Sequence, residues 1–208
     1  MTGAINFKWW RCRDGYRYDP RRGGSLTSAS ERFEQYDPLS VSALFARFAE
    51  TPATPAGIND FCNHFGLLGG NRPDLVTSAW RQESPKSEAV SLDEILHHQA
   101  RLRLALRRFE SGDYSKLSEY WYSNITALLR VELQIDEQGK LAWTMSPQDL
   151  IRALWLQFAQ HVSSGTQLLR CERCNAPFIV GTGTGRRSTS MFCSSTCKVA
   201  AFRARAAG

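Results

Sequence analysis

Four of the six cysteines in this 208-residue chain fall in two close pairs, Cys171-x-x-Cys174 and Cys193-x-x-x-Cys197, separated by 18 residues. Thiolates are soft donors, and two pairs at this distance can converge on one tetrahedral centre. The same residues can instead form two disulfides, but a reducing compartment favours the metal, and an all-sulfur donor set selects Zn²⁺. Cys171, Cys174, Cys193 and Cys197 are therefore predicted to hold one Zn²⁺. Four thiolates leave no coordination position for water or substrate, so the ion is expected to be structural, folding a segment too short to bury an adequate core.

Other candidate chemistry is thin. Cys12 and Cys62 have no ligand-spaced companions; Cys62 with His64 reads as a buried thiol beside a surface imidazole. His97 and His98 are adjacent on a predicted helix, where neighbours point about 100° apart and cannot share a metal. The run Gly181-Thr182-Gly183-Thr184-Gly185 lacks the preceding strand, following helix and lysine of a phosphate cradle, and reads as a hairpin tip. No nucleophile and base stand at a revealing spacing, so no enzymatic activity is expected.

Charge is unevenly distributed. The chain holds 26 Lys+Arg against 20 Asp+Glu, yet residues 1–169 are neutral. The entire +6 comes from Arg170, Arg173, Arg186, Arg187, Lys198, Arg203 and Arg205, set against Glu172 alone. A basic patch coincident with a metal site points to a polyanion, with nucleic acid, most naturally DNA, as the expected partner. The nominated phosphate contacts are Arg186, Arg187, Lys198, Arg203 and Arg205. The alternative is a protein-interaction module whose finger docks on an acidic partner. Arg101, Arg103, Arg107 and Arg108 crowd another helix and read as a solvated face, because Leu102, Leu104 and Leu106 tie that helix to the core.

The elements that must position these residues give an α+β reading: a mostly helical domain with an N-terminal β-ribbon and a second β-hairpin, plus a small C-terminal treble-clef-like finger. The aromatic run Phe7 to Tyr18 surrounds Asp14-Gly15, a hairpin signal, and a third short strand is expected at 32–36 after a Gly/Ser-rich loop at 22–30. Part of the ribbon's aromatic surface (Phe7, Trp9, Trp10, Tyr16, Tyr18) is expected in the core. Two short helices follow, the second opened by Thr54-Pro55 and closed near Gly66. The polar stretch from Gly69 to Ser91 reads as a long loop. Ser91 and Glu94 form a capping-box pattern for a helix to about Gly112, and another helix is expected over roughly 114–130. Val131–Ile135 and Leu141–Thr144 read as a hairpin, and Ser146-Pro147 as the start of a last core helix stopped by Gly165. Three regions result: 1–90, 91–168 and 169–208. With 42% hydrophobic residues, no apolar run long enough for a bilayer and no basic-then-apolar leader pattern, a folded cytoplasmic protein is expected, in which a homo-oligomer is compatible with the pattern.

Leu169-Arg170-Cys171-x-x-Cys174, Phe178, Arg186-Arg187, Phe192-Cys193-Ser194, Cys197 and the basic end Ala201-Phe202-Arg203-Ala204-Arg205 together resemble the C-terminal CGNR-type zinc finger of bacterial ABATE-domain proteins. Lys198-Val199-Ala200 stands where that finger carries Gly-Asn-Arg. In the family a mostly helical domain with a β-hairpin before its last helix feeds into the finger, matching 91–170 here. The resemblance implies a regulator of transcription.

Overall fold

The computed structural model describes residues 4–5, 7–69, 89–115, 117, 129–135, 139 and 141–206. It is a mixed α+β fold with small sheets, five α-helices among the described residues, and a cysteine cluster near its C-terminal end. None of the described helices is long and apolar enough to cross a membrane.

The N-terminal ribbon differs from the hairpin expected around Asp14-Gly15. Strand β1 (Ala4–Ile5) is followed by β2 (Trp9–Cys12) and β3 (Tyr16–Asp19), but these two do not pair with each other. Strand β3 pairs antiparallel with β4 (Ser25–Ser28), and β2 with β5 (Phe33–Tyr36). One long two-armed ribbon results. Its reversal lies at Pro20–Gly24, where Asp19 caps a single 3-10 turn and Gly23 and Gly24 take φ of 65° and 66°. Asp14-Gly15 instead forms a kink within the first arm, where residues 13–15 face residues 29–32 and the extra residue bends the ribbon. Asn63 pins that kink by accepting from the Tyr16 amide at 2.7 Å. The Gly/Ser-rich segment read as a loop contains β4, because Leu26 is fully buried between its polar neighbours and anchors a strand.

Helix α1 (Leu44–Glu50) and α2 (Pro55–Phe65) follow, the latter with Thr54 accepting from Gly57 and Pro55 in its first turn, as expected. Gly66 ends α2, and there a Cβ would stand 2.3 Å from the Trp10 carbonyl oxygen, so only glycine lets α2 close onto β2. Residues 70–88, most of the expected long loop, lie outside the described residues. Strand β6 (Val90–Ser91) then pairs with β4 and leads into α3 (Leu92–Glu110). The capping box expected at Ser91 does not form: Ser91 is held in the strand, its side chain caps nothing, and the Leu92 amide donates to Gly24 instead. Most of the helix expected over 114–130 lies outside the described residues, while Leu129 and Arg130 already belong to β7.

Strands β7 (Leu129–Ile135) and β8 (Leu141–Pro147) form the expected second hairpin, and β1 joins β8 in parallel. The next helix starts later than Ser146-Pro147 suggests, because β8 runs through Pro147. Asp149 caps α4 (Leu150–Ser164) by accepting from the Arg152 amide at 2.8 Å, and Gly165 ends it in the left-handed region.

Phe45 and Phe48 of α1, Ile58 and Phe61 of α2, Leu102 of α3, and Trp155 and Phe158 of α4 share one core with Trp9, Tyr16 and Leu26 of the ribbon. Helix α1 has only seven residues, too few to be stable alone, and both its ends are held by glutamines from other helices. Ala43, at its N-cap, is left-handed (φ 54°) and supplies no side-chain cap. Gln157 of α4 replaces it, accepting from the Phe45 amide (3.2 Å) and donating to the Val41 carbonyl (2.8 Å). At the other end Gln99 of α3 donates to the carbonyls of Phe48 and Thr51, both at 2.8 Å. Arg103 joins it, donating to Ala49 and Thr51, so this arginine is a structural donor and not part of a solvated face.

Burial of acidic protons in this core sets an alkaline limit. Burial pushes the Cys62 thiol from 9.0 to about 12 and the Tyr16 phenol from 10.0 to about 12, and raises Tyr36 as well. All three stay neutral in the fold while the unfolded chain ionises above pH 9 to 10. Their contribution is therefore complete below pH 9 and is lost as pH climbs towards 12, at up to about 1.4 kcal/mol per pH unit for each group. Urea midpoints should fall steeply above pH 10, with exposed tyrosines such as Tyr114 ionising in the fold and the remaining tyrosinate absorbance appearing only at unfolding; a flat midpoint with all tyrosines ionising in the folded protein would contradict the burial.

Candidate metal centre

The cysteine-bearing segment begins with β9 (Gln167–Arg170), paired antiparallel with β10 (Pro177–Val180). Side chains alternate across a strand pair, and here the two faces serve different cores. Leu168 and Ile179, which are register partners, pack against the main core, whereas Leu169 and its partner Phe178 turn to a second cluster with Cys171 and Val180. The hairpin is thus the wall between body and finger. Polar contacts fasten it: the Ile179 amide donates to the Ser42 hydroxyl at 3.0 Å, and Arg170 forks onto both carboxylate oxygens of Glu50 at 2.7 and 3.1 Å.

Between the strands the chain makes a tight turn. The Asn175 amide donates to the Cys171 carbonyl (2.8 Å) and the Cys171 amide to the Ala176 carbonyl (3.1 Å), with Asn175 at φ 56°, a conformation asparagine tolerates better than most residues. The segment ahead of the second pair is laid alongside by the Glu172 amide donating to the Met191 carbonyl at 3.0 Å. Ser194 then opens α5 (Ser195–Ala206), its hydroxyl accepting from the Cys197 amide at 3.1 Å. Cys193 therefore sits just before the helix and Cys197 in its first turn.

All four sulfurs lie within 4.8 Å of one another. Cys174 to Cys193, Cys193 to Cys197 and Cys197 to Cys174 are 3.5, 3.6 and 3.7 Å apart. Four sulfurs about 2.3 Å from a tetrahedral ion would be separated by about 3.8 Å, whereas a disulfide needs about 2.05 Å. The spacing matches the first arrangement, and all four residues are free thiols. Cys171 is buried and the other three are partly or fully exposed.

The backbone around the cluster favours negative charge on sulfur. Burial raises the Cys171 thiol, but the amides of Cys193, Cys174 and Arg173 donate to it and together outweigh burial, bringing it down to about 6. Cys193 is pushed the other way, to about 12, by burial and then by the neighbouring thiols. Four sulfurs this close cannot all ionise without a cation between them, and a dipositive ion removes that penalty while displacing protons. The donor set and the amides aimed at Cys171 thus fit a single bound metal ion.

The nominated basic residues divide into two groups. Lys198, Arg203 and Arg205 lie on α5, Lys198 directly after the cluster residue Cys197 and the two arginines in the last turn. Arg205 reaches Glu172 at 3.7 Å, while Lys198 and Arg203 have no ion-pair partner among the described residues. Arg186 and Arg187 lie at the end of the Gly181–Gly185 loop, which directly follows strand β10, contrary to expectation, but leads into no helix, and closes as the expected tip through a bridge between Gly181 and Arg186. The Arg186 guanidinium lies over the ring of Phe178, 5.7 Å from its centroid, which packs it against the finger while Arg187 stays exposed.

Elsewhere, Cys12 and Cys62 are buried, and His64 is exposed, as their patterns suggested. The Gln99, Gln157 and Ser42 anchors were not singled out from sequence, although Gln99 and Gln157 interrupt the apolar stripes of their helices, which is the available signal. No protein-family model matches the chain, and no curated protein matches it.

Proposed function

We propose that Cys171, Cys174, Cys193 and Cys197 hold one structural Zn²⁺, and that the finger so formed binds nucleic acid, most naturally DNA, in a bacterial transcription regulator. The observation that carries this reading is the coupling of metal cluster and charge: α5 starts at a cluster cysteine and presents Lys198, Arg203 and Arg205 beyond it. Four soft donors at tetrahedral spacing suit Zn²⁺, and with no position left open the ion supports the fold and takes no part in a reaction. The resemblance to the CGNR-type finger of ABATE-domain proteins supports regulation of transcription as the setting. Lys198 and Val199 in place of its Gly-Asn imply a contact dominated by phosphates, with weak sequence preference.

The test is a titration of zinc-loaded full-length protein with random-sequence DNA and RNA duplexes at several salt concentrations. Each cation engaged contributes about 0.9 to the slope of log affinity against log salt, so the five nominated residues give a slope on the order of −4. The double substitution Lys198→Ala, Arg203→Ala should reduce the magnitude of that slope by about 2 at unchanged zinc content. A flat salt response would exclude the proposal, and a stoichiometric complex with a protein free of nucleic acid would point to an acidic partner instead.

A further inference from the structure

Helix α5 carries an exposed aromatic ring in the middle of its cationic face. Phe202 is 73% exposed, the most exposed of the large apolar side chains among the described residues, and Val199 beside it is 48% exposed. Lys198, Phe202 and Arg205 follow one another at spacings of four and three, so they share a face, and Val199 and Arg203 flank it at the same spacings. Arg203 and Val199 also border a shallow groove with Ser195, Thr196 and Ala200. The finger core is closed without Phe202: Phe178 and Val180 fill it, with Leu169 and Phe192 against them. The ring is therefore not spare core material.

We propose that Phe202 is a stacking platform for an unpaired base of a single-stranded nucleic acid, whose phosphates are held by Lys198, Arg203 and Arg205. The inference rests on the nucleic-acid reading above and narrows it. Charge complementarity selects the occupant: a second copy of this helix would set three cations against three, whereas a single strand offers both the anions and the flat apolar face that the ring lacks. In a duplex the base faces are already stacked on each other, and a phenyl ring meets only groove edges. In a single strand every base has a free face, and stacking on an aromatic side chain tolerates any sequence.

The test compares zinc-loaded full-length protein and its Phe202→Ala and Phe202→Trp variants on fluorescein-labelled oligothymidylate and on a random-sequence duplex. Because Phe202 lies outside the core, all three proteins should retain one zinc and the same melting curve. Stacking of one base predicts that Phe202→Ala weakens single-strand binding roughly ten- to a hundredfold, leaves the salt slope and duplex binding unchanged, and is rescued by tryptophan. Salt-dependent binding to both probes that Phe202→Ala leaves intact would overturn the stacking inference while sparing the nucleic-acid reading. Absence of binding to either probe at low salt would overturn both. Phe202-dependent self-association in sedimentation, without strand binding, would show the face to be a contact between copies.

Discussion

Cys174→Ser should strip the finger of its metal and its order while the body of the protein stays folded. Structural zinc in small modules contributes about 10–16 kcal/mol, and without a fourth thiolate that energy is no longer available to a segment whose own core is Cys171, Phe178 and Val180. The loss should stop at the β9–β10 hairpin. Leu168 and Ile179 belong to the main core, and Ser42 and Glu50 hold the hairpin from outside the finger. Hydrogen exchange should show protection lost over the Cys171–Asn175 turn and α5, with α1 to α4 unchanged, and metal analysis should fall from one equivalent to none. A variant that kept its metal and the protection of α5 would show that Cys174 is not a ligand.

Gln157→Ala should be among the most damaging single changes in the body, at about 2–4 kcal/mol. The side chain satisfies two backbone groups at the start of α1, the buried Phe45 amide and the part-buried Val41 carbonyl, and an orphaned buried group costs about 1–3 kcal/mol. No neighbour can step in, since Ala43 caps nothing and its left-handed backbone directs the chain into the core. Gln160, three residues on and exposed, is the control, and its replacement by alanine should stay within about 0.5 kcal/mol. Equal effects for the two in urea unfolding would mean that α1 does not depend on its borrowed cap. Gln99 and Arg103 serve the opposite end, so the triple substitution should melt α1 before the rest.

What the sequence determined by itself is what depends on neighbours along the chain. Cys-x-x-Cys and Cys-x-x-x-Cys specify a four-sulfur cluster because each pair is brought together by a local turn. Thr54-Pro55 and Gly165 mark helix ends because caps act within one turn, and the charge of the last forty residues needs only counting. The tertiary structure decided everything that depends on pairing at a distance. Asp14-Gly15 has the composition of a hairpin turn, yet β5 and β4 compete for the two flanking strands and convert it into a kink. Ser91 and Glu94 have the spacing of a capping box, but pairing with β4 takes Ser91 away. Gln99, Gln157 and Arg103 are polar residues with no evident partner along the chain until α1 is placed between α3 and α4, and only then do unsatisfied backbone groups appear for them to meet. Phe202 is the converse case: it sits at helical spacing with Val199, as a core residue would, and only the closed packing of the finger around Phe178 leaves it facing outwards.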